Sequence, residues 1–205
     1  MRRLAIETAA GTCSVALFEG ATLLGHAHEA VGRGHAERLI PMIAALPDRG
    51  RAGEVLVDCG PGSFTGVRVG LAAARAFGLA WQARVQGFSS LALIAAKSFQ
   101  DHPELQILAV AIVGGHGEYF VQLFENRPVL ASTPLASLKP DAAAILCGAL
   151  PLAGSGGEAL QAAGASGDLI AVELDARDTL LLPPALATLP PSPIYGRAPD
   201  ARPPA

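Results

Sequence analysis

The chain has 205 residues, enough for one large domain or two lobes of about 100 residues each. Half of it is hydrophobic, but aromatics make up only 5%, so the core has to be built mainly from Ala, Val, Leu and Ile packed at short range. Charged residues are sparse at 16% and the formal charge is -3, which excludes a general electrostatic grip on nucleic acid; any contact with RNA is local or indirect.

Cys13, Cys59 and Cys147 are odd in number, widely spaced and without a CxxC pair, which argues against a disulfide framework and a structural zinc site and fits a reducing cytoplasm. Glu7 interrupts the first apolar stretch too early for a signal peptide. The longest purely apolar run, residues 107–113, is far shorter than the 18 or so residues that span a bilayer. A soluble, cytoplasmic protein with no membrane partner is expected.

In chain order, residues 4–8, 12–18 and 21–28 read as three short strands joined by Gly11 and by the turn Glu19-Gly20, an antiparallel meander. Residues 35–46 carry Leu39, Ile40, Ile43 and Leu46 at helical spacing, with Pro41 inside the helix. A strand at 54–59, a long helix at 65–82, a strand at 85–88 and a helix at 89–97 started by Ser89 or Ser90 complete a first unit. After the linker Asp101-His102-Pro103 a second unit begins with strands at 107–113 and 119–124. A strand at 128–132, the apolar Ile145-Leu146-Cys147, and a short helix at 158–163 follow. From Pro183 the chain is rich in Pro and Ala, and residues 190–205 read as an extended tail over the surface. A meander followed by alternating helices and strands, begun twice, predicts a two-lobed α/β fold with lobes at 1–100 and 101–205, the second undersized. A doubly wound α/β domain is the competing reading.

Gly62, Gly66, Gly70, Ala74 and Gly78 recur every four residues, one ridge along the surface of the long helix. Each helical Gly costs about 1 kcal/mol relative to Ala, so a close contact should offset the loss. Either a neighbouring element of the same domain or a partner protein fills the groove. The preceding loop, Gly60-Pro61-Gly62-Ser63-Phe64-Thr65-Gly66, has the look of a phosphate loop but lacks the Lys of a Walker sequence, since Val67 and Arg68 follow. It reads as a tight turn with Ser63 or Thr65 capping the helix.

His35-Ala36-Glu37 lacks the second His that a helical metal pair places about four residues on, where Leu39 stands, so no metal is expected. Glu7 and Thr8 occupy the turn where actin-like phosphotransferases place an acid and a phosphate contact, and are weak cofactor-binding candidates. Gly114, Gly115 and Gly117 around His116, and Gly154-Ser155-Gly156-Gly157, read as turns. No Ser/His/Asp or Cys/His arrangement is supported by spacing.

Taken together, IETAAGTCSVALFEG, GHAERLIPMI, CGPGSFTGVRVGLAAARAFGLA and VQGFSSLALIA resemble, in order, the bacterial TsaB (YeaZ) family, with GPGSFTGVR as the most distinctive signature. The resemblance implies an actin-like (ribonuclease H-like) two-lobed fold with a reduced second lobe. It also implies a non-catalytic subunit that docks a TsaD-like catalytic homologue. With a TsaE-like ATPase subunit the pair would form threonylcarbamoyladenosine in tRNA, the ATP being used by the partners and this chain holding no cofactor of its own. The implied interface lies on the two helices of the first lobe, with His35, Leu39, Pro41, Met42, Gly66, Val67, Gly70, Leu71, Ala74 and Gly78 as its candidate residues. Self-association through the same face is also implied, with homodimer and monomer both open for the chain without its partner. The sequence departs from the family at Glu7, where Asp is usual, at Val113-Gly114-Gly115, where Asp-Ala-Arg is common, and in its shorter second lobe. A small phosphotransferase and a metallopeptidase relative are the alternatives.

Overall fold

β1 (Arg2–Glu7), β2 (Thr12–Glu19) and β3 (Thr22–Ala30) form an antiparallel meander in the computed structural model, which describes residues 1–196. The β2–β3 turn closes on Gly20 at a φ of 61°, a left-handed position that glycine takes without a Cβ penalty. After α1 (His35–Ala45), β4 (Glu54–Asp58) pairs parallel to β1; after α2 (Phe64–Trp81), β5 (Arg84–Phe88) pairs parallel to β4. The resulting strand order is β3-β2-β1-β4-β5.

The period-two alternation of strand side chains assigns the two faces of this sheet. Leu4, Ile6, Val15, Leu17, Val55 and Val57 form one core with Leu39 and Ile43 of α1 and Val67 and Leu71 of α2. Ala5, Ala16, Phe18 and Leu56 point to the opposite face. There α3 (Ser90–Asp101) lies between the lobes: its Leu91, Leu93, Ile94 and Phe99 share a core with Leu56 and Phe88 of the first sheet and with Leu108, Val110 and Phe124 beyond. A helix packed on both sides is apolar nearly all round, and α3 is.

The second sheet repeats the plan in miniature. β6 (Ile107–Val113) and β7 (Tyr119–Glu125) pair antiparallel, and the short β8 (Leu130–Ala131) and β9 (Ala136–Leu138) both add to β7. After α4 (Pro140–Cys147), β10 (Leu152–Ala153) runs parallel to β6; after α5 (Gly157–Ala162), β11 (Leu169–Ile170) runs parallel to β10. The order β11-β10-β6-β7-β8 is again a meander extended by two parallel strands, each preceded by a helix. Two sheets of this kind are the actin-like two-lobed α/β fold, and a single doubly wound sheet is set aside. The second lobe is reduced because β10 and β11 have two residues each and α5 has six.

One expectation changes in this lobe: the strand expected at 128–132 shrinks to β8. The apolar Ile145-Leu146-Cys147, which the sequence assigned to no element, closes α4. The end of the chain also does more than run over the surface. The short 3-10 turn Ala176–Leu181 packs across the first sheet, with Ala176 in the cluster of Ala5, Ala16 and Phe18. Leu189 bridges to Gly87, and the Ile194 N–H donates to the Cys59 carbonyl at 2.8 Å. Arg75 Nη2 donates to the Pro191 carbonyl at 2.7 Å, and Arg68 Nη2 to the Tyr195 hydroxyl at 3.0 Å while its guanidinium lies 3.6 Å over the Phe64 ring. The rest of the expected tail, residues 197–205, lies outside the described residues. No helix among the described residues is long and apolar enough to cross a membrane.

Candidate functional site

The loop before α2 is a capped helix start: Ser63 Oγ accepts from the Gly66 N–H at 3.2 Å. The glycine ridge that follows faces inward. A Cβ on Gly62 would run into the Ala9 carbonyl, on Gly66 into the Thr8 carbonyl, on Gly70 into Thr8 Oγ1, and on Gly78 into Val85. Thr8 Oγ1 donates to the Gly66 carbonyl at 2.8 Å, a bond that forms only because no side chain separates α2 from the end of β1. The groove is therefore filled by the chain's own first sheet. Gly66, Val67, Gly70, Leu71 and Ala74 are buried and Gly78 is half-buried against Val85, so none of them belongs to an exposed docking surface.

α1 corrects the same way. Leu39 and Met42 are core residues, and His35 is buried with Nε2 donating to the carbonyls of Ala10 and Thr12, both at 3.0 Å. That pair of bonds ties the start of α1 to the turn after β1. Pro41 is the candidate on this helix that stays exposed.

The surface the two helices do present is on their other side. Ala36, Ile40 and Ala44 on α1, with Pro41, and Ala72, Ala76 and Ala80 on α2, with Leu79, are exposed; Ile40 is 50% and Leu79 85% accessible. Both helices lie on one face of the first sheet and share its core, so both stripes belong to the outer surface of that helical layer. Their spacing of four is visible in the sequence, but on α2 it runs beside the glycine ridge, which is the more conspicuous of the two. Beside the patch the Arg38 guanidinium holds Glu29 with bonds of 2.8 and 2.7 Å, which keeps the Glu29 carboxyl below the usual carboxylate range.

A cleft of about 520 Å³ opens between the lobes, lined by Ala10, Gly11 and Ser63 on one side and Ile112, Gly154 and Ser155 on the other. Glu173 is the charged residue among the described residues on its wall. Glu7 and Thr8 do not reach it; both are wholly buried. Glu7 Oε1 accepts the N–H groups of Ala9 and Ala10 at 2.7 and 3.1 Å, and Thr8 is committed to Gly66. The two cofactor-binding candidates thus shape the turn and are not placed to touch a ligand. The Gly154-Ser155 turn is likewise tied down, Ser155 Oγ accepting from the Val113 N–H at 3.1 Å. At the β6–β7 turn, His116 and Gly117 take positive φ values of 61° and 69°, in keeping with the turn reading.

Burial, and next the charge of Asp58, push the Glu7 carboxyl well above its ordinary value. Asp58 is pushed up to about 7 by burial, although the Gly60 N–H and the Ser90 hydroxyl bond to it. Both groups are held more acidic in the unfolded chain than in the folded one, so the stability they give is complete below the ordinary carboxylate range and is lost as pH rises through 7. Melting curves should show a lower midpoint at pH 8 than at pH 5.5, and Asp58→Asn should flatten that slope; an unchanged slope would remove Asp58 as its source. Burial lifts the Cys13 and Cys59 thiols to about 12 and Cys147 to about 11, values at which none is a nucleophile near neutrality.

This geometry can be set beside known proteins. Residues 25–140 match the family model described as TsaD: tRNA N6-adenosine threonylcarbamoyltransferase. The chain is 34% identical over 151 residues to the tRNA threonylcarbamoyladenosine biosynthesis protein TsaB of Escherichia coli (strain K12), covering 69% of this chain and 64% of that one. It is 32% identical over 130 residues to the protein of the same name from Haemophilus influenzae, covering 60% and 54%. These alignments span less than two thirds of either relative. Among solved structures, YeaZ from Pseudomonas aeruginosa superposes with a TM-score of 0.79 at 25% identity, covering 95% of this chain and 99% of that one. With a family model matched over more than half its length and with this agreement to TsaB sequences and the YeaZ structure, the chain belongs to the TsaD-type family and, within it, to the TsaB (YeaZ) proteins.

Proposed function

We propose that this chain acts in forming threonylcarbamoyladenosine in tRNA as a non-catalytic subunit that docks and activates a TsaD-like catalytic homologue. The observation that carries the proposal is the two stripes of exposed small and apolar residues on α1 and α2, Ala36-Ile40-Ala44 and Ala72-Ala76-Ala80. Small side chains at a spacing of four let a partner helix approach closely, and an apolar patch edged by charged residues is the usual mark of a protein contact. In the absence of the partner the same face closes a homodimer.

The chemistry of the cleft supports the non-catalytic part. Phosphoryl transfer needs cationic side chains or a set of metal-holding carboxylates around the phosphates, whereas the charge among the described residues on the cleft wall is the single carboxylate of Glu173. ATP is used by the partners, among them a TsaE-like ATPase subunit, and this chain has no nucleotide cofactor of its own. Contact with tRNA is indirect, in line with the low charge, and the complex works in the cytoplasm. Co-expression with the TsaD-like homologue should give a stable complex on gel filtration, while the isolated chain releases no phosphate from ATP. Phosphate release that copurifies with the isolated chain would favour the phosphotransferase reading instead.

A further inference from the structure

His26 and His28 are two residues apart on β3, so both rings stand on the same face of the strand, opposite Ala16 and Ser14 of β2. This is the face away from α1 and α2, and the chain crosses it on its way back from the second lobe. The Ala176 N–H donates to Ser14 Oγ at 2.9 Å, which sets Asp175 beside the two rings. The Asp175 side chain is 5% exposed, with Oδ1 2.7 Å from His26 Nε2 and Oδ2 3.3 Å from His28 Nδ1.

The second contact is not a hydrogen bond. His28 Nε2 lies 3.4 Å from a carboxylate oxygen of Glu173, again without a hydrogen bond. His28 Nδ1 is buried with no hydrogen-bond partner among the described residues and faces a carboxylate oxygen of Asp175. A cation held between the ring nitrogen and the carboxylate satisfies both. An imidazole with an unpartnered inner nitrogen and a carboxylate near its outer one suits a metal-ligating histidine.

We propose that His26, His28 and Asp175 bind a divalent transition-metal ion, zinc by the chemistry of its ligands, with water in the fourth position. One ligand atom from each residue lies within 4.8 Å of the others. A tetrahedral ion with bonds of about 2.0–2.1 Å keeps its ligand atoms roughly 3.3 Å apart, so small side-chain rotations complete the site. Arg177 Nε, 3.0 Å from Asp175 Oδ2, stands where the positive charge is needed; its side chain is 56% exposed and swings into solvent as the ion enters. The absence of a metal was expected from the cysteine pattern and from helical His spacing, neither of which registers two ligands on a strand and a third 147 residues later, the separation of His28 and Asp175. The histidines belong to the first sheet and Asp175 to the segment returning from β11, so the ion fastens one lobe to the other. Its role is structural.

The test uses the untagged full chain, stripped with a chelator and titrated with Co²⁺ and then Zn²⁺. One equivalent of Co²⁺ should give the visible absorption of a tetrahedral ion, zinc should displace it, and zinc should raise the melting temperature. His28→Gln should abolish the spectrum, Glu173→Gln should weaken binding about 10-fold, and Arg177→Gln should tighten it by removing the competing cation. His102→Gln, in the linker after α3, should change nothing. Wild-type chain that takes up no stoichiometric Co²⁺ or Zn²⁺ overturns the proposal, as does binding undiminished in a folded His28→Gln chain. Because the wild-type titration and the Arg177→Gln comparison need no ligand removed, the result stands even where a ligand variant loosens the fold.

Discussion

A chain carrying Gly66→Leu is expected not to fold, and Gly66→Ala to lose about 3 kcal/mol, the upper part of the range for overpacking a close contact. The added Cβ meets the Thr8 carbonyl, which is backbone directly after β1, the strand at the centre of the first sheet, and cannot turn aside as a side chain can. The same contact carries the Thr8 Oγ1 bond to the Gly66 carbonyl, at 2.8 Å, so relief by moving the helix forfeits a buried hydrogen bond. Gly115→Ala is the matched comparison: nothing lies within 4 Å of its Cβ position and the residue is exposed, so its effect should stay within about 0.5 kcal/mol. Urea denaturation measures both. A Gly66→Leu chain with the wild-type midpoint would mean that α2 does not approach β1 as described.

That result also fixes how far the glycine ridge was legible. The cost of about 1 kcal/mol for each helical glycine correctly demanded a close contact, but spacing does not name the neighbour. α2 carries two stripes of period four, and the one rich in glycine faces the backbone of β1 because only glycine admits a main chain so near. The stripe of Ala72, Ala76 and Ala80 has ordinary helix formers, the choice suited to an exposed surface. Element order in the first lobe was readable because its strands run five to nine residues and its helices eleven or more, long enough for periods of 2 and 3.6 to show. β10 and β11, at two residues each, carry no period at all, and α4 was hidden by the Ala-rich run before Ile145. Glu7 and Thr8 were placed at the right turn, yet that a carboxylate is consumed by the N–H groups of Ala9 and Ala10 is a fact of geometry that composition does not carry. The meeting of His26 and His28 with Asp175 depends on the return pass of the chain, which no local pattern announces.

The second large effect concerns docking. Ala72→Glu and Ile40→Glu change exposed residues and should leave the melting temperature within a few degrees of wild type. Each puts a carboxylate into the proposed contact with the TsaD-like homologue, where an unpaired buried charge costs about 3–5 kcal/mol, a loss of at least ~100-fold in affinity. Glu104→Lys, an exposed change on the linker between the lobes, should bind as wild type. Calorimetric titration of the purified partners distinguishes these cases. Wild-type affinity in Ala72→Glu would move the interface off α1 and α2 while leaving the family assignment untouched.

The central claim, that this chain activates a catalytic partner by docking rather than by chemistry of its own, is tested most directly by reconstituting the modification. Unmodified tRNA, ATP and the TsaD-like and TsaE-like subunits are combined with a threonylcarbamoyl donor, and threonylcarbamoyladenosine is measured by mass spectrometry of the digested tRNA. The modified nucleoside should form with the wild-type chain and fall to background with Ala72→Glu or with no chain added. Equal yields in all three reactions would contradict the account.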